Sequence, residues 1–120
     1  MKHLFLVFLG GGAGSVLRYL LSAYTQKLWT IGVFPLGTFL VNLLGCLLIG
    51  ALSSGLMKTD ETSRLLLIVG FCGGFTTFSA FSAEGIQLWQ SGHYLTLTAY
   101  ILLSVLLGIT AVWAGAKLTT

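Results

Sequence analysis

The sequence predicts an all-α integral membrane protein: four transmembrane helices with a broken third helix, read as one domain over residues 1–120. Three observations carry that prediction. The chain is 56% hydrophobic and only 8% charged, with a mean hydropathy of +0.96, more apolar surface than a soluble domain of this size can bury. Four apolar runs, at about 4–24, 34–56, 64–91 and 95–117, each approach the roughly 20 residues that cross a hydrocarbon core. Short polar stretches separate them, Gln26-Lys27, Lys58 to Ser63, and Gln90 to His93.

The first run follows Met1-Lys2-His3 and has the look of a signal peptide, but it lacks a convincing small-residue cleavage site and three further spans follow, so it reads as a retained first helix. An even number of spans puts both ends of the chain on one side. That side carries Lys2, Lys58, Arg64 and Lys117 against Arg18 and Lys27 on the other, only a slight lean toward cytoplasmic termini. Six dispersed basic residues make no track for a phosphate backbone, which excludes nucleic acid as a partner. Cys46 and Cys72 lie inside apolar runs and imply neither a disulfide nor a metal by themselves. No GxxxxGK[ST] loop is present, and GGGAGS lacks the third glycine and the strand context of a dinucleotide site.

Glycines spaced by four, Gly10 with Gly14 and Gly70 with Gly74, suit close helix contact in lipid. Polar residues at membrane depth are costly, which makes each of them a candidate. Arg18 near one end of helix 1 either snorkels to the interface or serves the interior. Asn42 in PLGTFLVNLLG is either interhelical glue or a pore-lining donor. Tyr100 and Ser104, four apart, put two hydroxyls on one face of helix 4. Glu84 is the one acidic residue well inside a span, a proton-coupling group or a hydrogen-bonded acid. With both histidines, His3 and His93, at span ends, it has no titratable companion, and an enzyme is not expected.

Helix 3 carries the densest signal, GFCGGFTTFSAF. Gly73-Gly74 offers a helix stop and Thr76-Thr77 the hydroxyls to cap a new start, the pattern of a discontinuous transmembrane helix. Freed carbonyls at such a break can hold a cation, and the new N-terminus with its hydroxyls can face an anion. Phe75, Phe78 and Phe81 would share one face of the second half-helix. They serve as packing or, together with Ser79, present partially positive ring edges to an anion.

Taken in order, GGGAGSVLRY, PLGTFLVNLLG and GFCGGFTTFSAFSAE resemble the small four-helix fluoride channels of the Fluc type over nearly the whole chain. That resemblance implies a passive channel exporting cytoplasmic fluoride through the plasma (inner) membrane. It implies an antiparallel dual-topology homodimer with two pores and a structural sodium ion on the axis. By matched position it implies Gly73 and Thr76 backbone carbonyls as Na+ ligands, Phe78 and Phe81 as ring-edge residues, Asn42 as the pore amide, and Tyr100 and Ser104 as a polar track. Thr77, Ser79 and Glu84 are taken with the pore, and Arg18 beside it. Two hydroxyls of the family pattern are missing, at Ala80 and Gly108. The alternative class, a small multidrug-type four-helix exporter, needs a carboxylate in helix 1, where only Arg18 is found.

Overall fold

The computed structural model describes residues 1–30, 32–55 and 60–119. Lys58 and Thr59 of the polar link, the expected end of the second span at residue 56, and Thr120 lie outside these residues. Four helical spans long and apolar enough to cross a membrane are present. Helix α1 is Lys2–Leu28 and α2 is Leu36–Gly55. The third span, Glu61–Gln90, comes in pieces: a turn α3 (Glu61–Ser63), a π-helical segment Arg64–Cys72, a turn α4 (Gly73–Phe75), and after a break the helix α5 (Phe78–Gln90). Helix α6, Tyr94–Leu118, follows a turn at Gly92, whose φ of +80° is one that glycine adopts without strain.

Local chemistry sets these ends. Asp60 accepts from the Thr62 N–H at 3.1 Å and the Ser63 hydroxyl at 2.7 Å, starting the third span, and these bonds hold its carboxyl below the usual range. Pro35 precedes α2, where its fixed φ suits a helix start. Gln26-Lys27, expected as a break, is instead helical, because nothing there stops α1 before Leu28. Gln26 turns out to cap its neighbour: its Oε1 accepts from the Gly37 N–H at 3.1 Å, satisfying a donor at the head of α2.

The spans assemble as two parallel pairs. His3 lies 3.0 Å from Glu61, Gly10 meets Gly70, and Arg18 reaches Gly74, so α1 runs alongside the first half of the third span in the same direction. Cys46 beside Gly108, Gly50 against Val112 and Ser54 against Thr119 align α2 with α6 likewise. Both seams rest on glycine. A Cβ on Gly14 would strike the Phe71 carbonyl, and one on Gly115 the Leu47 carbonyl, so small residues let these backbones touch. Tyr100, Val41 and Cys72 are the largest fully buried side chains, while Phe5, Phe8, Leu95 and Ile109 point outward, as a lipid-facing surface requires.

The break itself falls later than the glycines. Gly73 keeps right-handed helical angles (φ −63°, ψ −37°), and the chain leaves the helix at Thr76 (φ −88°, ψ 159°) and Thr77 (φ −150°, ψ 118°). Gly74 is consumed by packing, since a side chain there would meet the Gly11 carbonyl. Phe75 therefore belongs to the first half, where it stacks on Phe71 at 5.7 Å and is 4% exposed, and it shares no face with Phe78 and Phe81. The helix restarts at Phe78, which separates the three rings.

Candidate functional site

Every polar side chain at membrane depth singled out by the sequence converges on the break or next to it. Thr77 caps α5: its Oγ1 accepts from the Ala80 N–H at 3.1 Å and lies 3.2 Å from Ser79 Oγ. Thr76 Oγ1 donates back to the Cys72 carbonyl at 2.9 Å, closing the end of the first half. Asn42, on α2, grips the gap. Its Nδ2 donates to the Thr77 carbonyl at 3.1 Å, and its Oδ1 accepts from the Thr77 N–H at 2.8 Å. On the opposite side Arg18 Nε donates to the Gly74 carbonyl at 3.0 Å, with Ser15 Oγ at 3.4 Å from the same oxygen. Arg18 thus bonds into the interior rather than only snorkelling.

These bonds decide which backbone groups the break sets free. In an uninterrupted α-helix the Thr77 N–H would donate to the Gly73 carbonyl and the Ala80 N–H to the Thr76 carbonyl. Here Asn42 Oδ1 takes the first donor and Thr77 Oγ1 the second. The carbonyls of Gly73 and Thr76 are left without their helical donors. An amide nitrogen has two protons, and Asn42 spends one on Thr77, leaving the other for a ligand.

Thr77 lines two cavities. One, about 520 Å³, is bounded by Asn42, Thr76, Thr77, Phe78, Phe81 and Ser104, and Gly73 sits on its wall. Phe78 and Phe81 stand 5.7 Å apart at 39°, and Phe78 is 79% exposed at the mouth. The other, about 450 Å³, holds Arg18, Gln26, Thr38 and Glu84. Glu84 accepts from Thr38 Oγ1 and from the Tyr100 hydroxyl, both at 2.9 Å, which offsets the cost of placing a carboxyl at this depth. Tyr100 is 0% exposed, and its ring lies 4.9 Å from Phe81, so it stands between the two groups.

The expected hydroxyl stripe on α6 is therefore divided: Ser104 belongs with Asn42 and the phenylalanines, Tyr100 with Glu84. Ser79 is exposed and bonds locally. Thr38 and Ser15 escaped the sequence reading. Thr38 had a usable signal, its spacing of four from Asn42, which puts both on one face of α2. Hydroxyls, an amide proton and ring edges make a lining that donates, suited to a small anion. No group of three or more His, Cys, Asp or Glu converges among the described residues, so a hard-metal site built from side chains is not offered.

Comparison with known proteins bears on the family. The model of the family described as CrcB-like protein, Camphor Resistance (CrcB), matches residues 5–116. A protein of Azobacteroides pseudotrichonymphae named fluoride-specific ion channel FluC is 48% identical over 99% of this chain and 97% of its own. Its namesake in Phocaeicola vulgatus is 51% identical over 96% of each chain. One in Leptospira interrogans is 45% identical over 95% of this chain and 91% of its own. Matched from near its start to near its end, and sharing about half its residues with these relatives, the chain belongs to the CrcB family.

Proposed function

We propose that this protein is a passive, fluoride-selective channel that exports cytoplasmic fluoride across the inner membrane. The observation that carries the reading is the 51% identity, over 96% of the chain, to a protein named as a fluoride-specific ion channel. The cavity chemistry supports it. Fluoride is small and strongly hydrated, so a path must replace its water with closely placed donors. Asn42, Thr77 and Ser104 supply polar hydrogens, and the ring edges of Phe78 and Phe81 supply partial positive charge. Hydrogen fluoride crosses lipid uncharged and dissociates inside, trapping the anion. An inside-negative potential drives the anion out with about 2.3 kcal/mol per charge per 100 mV.

The working unit in this reading is an antiparallel homodimer with two pores. Irregular backbone at membrane depth is tolerated where protein buries it or where it lines a cavity. In the single chain Gly73 and the 79%-exposed Phe78 remain uncovered, and a second, oppositely inserted copy would cover them. A structural sodium ion fits the residues present, because the carbonyls of Gly73 and Thr76 have lost their helical donors and carbonyls can replace a cation's hydration shell. When bound, that ion would be held by the carbonyls of Gly73 and Thr76 and would supply the positive charge that keeps them apart from helical donors. The chain's own groups do the rest: Asn42 and Thr77 hold the gap, and Phe78 and Phe81 border the path.

Fluoride-electrode efflux from liposomes holding the purified protein tests this directly. Rapid fluoride release with no chloride release is expected. Chloride release at a comparable rate, or no release from a well-folded dimer, would remove the assignment.

A further inference from the structure

Two cysteines face the cavity beside the break from neighbouring helices, Cys46 on α2 and Cys72 on the π-helical segment, and both are free thiols. The same lining includes the apolar side chains of Ile49, Ile68, Val69 and Val105. We infer that Cys46 and Cys72 form a two-thiol site for a soft divalent cation of the mercuric type, and that its occupation obstructs the cavity. The obstruction rests on the proposed fluoride path. The binding does not.

Charge and ligand count select the class of ion. Thiolates prefer soft cations. Zinc in a structural site wants four ligands, and no third His, Cys, Asp or Glu joins this pair among the described residues. A cuprous or silver ion on two thiolates would leave a permanent net negative charge at membrane depth, which is costly. A mercuric ion, content with two sulfur ligands, gives a neutral adduct. Two S–H bonds and the two bonds from mercury to its chloride or water ligands break, two Hg–S bonds form, the two protons and the displaced ligands pass to water, and mercury stays divalent, so no oxidant or reductant is required. Binding weakens as pH falls, since the protons must leave.

Accessibility orders the steps. Cys46 is half-buried beside Gly108, whereas Cys72 is 1% exposed, so the first bond forms at Cys46 and the second closes inward onto Cys72. The same order explains why a bulky maleimide, which needs one open thiol, should attach once and at Cys46.

The test is a titration of the purified protein with mercuric chloride, read by the ultraviolet mercury–sulfur absorption and by intact mass, in parallel with fluoride efflux from liposomes. One mercuric ion per chain is expected, with at least tenfold loss of efflux that dithiothreitol restores. In Cys46→Ser with Cys72→Ala, the absorption and the efflux loss should both vanish, each protein being scored against its own rate before mercury. The wild-type adduct should carry mercury without chloride, whereas either single variant should keep one chloride on its mercury; two ions per wild-type chain, or a wild-type adduct that retains chloride, would overturn the shared site. Unchanged efflux at full occupancy would overturn the obstruction. Were untreated protein to pass no fluoride at all, the channel reading would fall while the one-to-one titration would still stand.

Discussion

Asn42 does two jobs with one side chain. Its amide pairs with both peptide groups of Thr77, as a neighbouring strand would, and so keeps the N–H of Thr77 from closing the helix onto Gly73. Replacing it with alanine removes the partners of a half-buried N–H and C=O, a cost of at most about 1–3 kcal/mol for each group, and lets the break relax. Asn42→Ala should therefore lose thermal stability and fluoride flux together. Phe78 differs, because it is exposed in the single chain and supports little of the fold. Phe78→Ile should keep the dimer's elution volume yet lower fluoride efflux more than about tenfold, since an aliphatic of similar bulk has no positive edge. Normal efflux from that variant would remove Phe78 from the path, and an apolar swap at Leu66 serves as the unaffected control. The sequence made Asn42 visible, because an amide amid leucines stands out. Its partner could not be read, because Thr77 is 35 residues away and the pairing is to backbone, which carries no letter.

At the scale of elements, the glycines divide into those that hold helices together and those, Gly108 among them, where a side chain would meet no close neighbour. A Cβ at Gly115 would collide with the Leu47 carbonyl, whereas at Gly108 the nearest neighbour is the Cys46 sulfur at 3.6 Å, an ordinary contact. Gly115→Ala should accordingly force α2 and α6 apart and destabilise the protein, while Gly108→Ser should fold normally. The serine restores a hydroxyl one turn past Ser104, next to the cavity, and flux at least equal to wild type is expected. A melting comparison of the two variants in detergent checks the contrast; equal loss would show that the α2–α6 seam is equally tight at both positions. Four spans and a broken third were legible from hydropathy and from Thr76-Thr77. The position of the break was not, because Gly73-Gly74 reads as a stop in isolation and only the approach of Gly11 shows that Gly74 is kept for packing. The π-helical register of Arg64–Cys72 also has no sequence mark.

For the whole molecule, the basic residues are spread over both ends. Lys2, Arg64 and Lys117 lie toward one end of the described helices and Lys27 toward the other, with Arg18 held in the interior. Basic residues this few, present at both ends, leave both insertion orientations open. A cysteine introduced at Thr120, in a Cys46→Ser, Cys72→Ala background, should label from each face of the membrane in about half the copies; labelling from one face alone would end the dual-insertion proposal. The proposed function requires passive conduction of fluoride, with no second ion moved. Its most direct test is the reversal potential of the current through the reconstituted protein in a planar bilayer. A tenfold fluoride gradient should set it about 59 mV from zero, the value for a singly charged ion, with no displacement by chloride, proton or sodium gradients. A reversal potential that tracks the proton or sodium gradient would show coupled exchange and contradict the account.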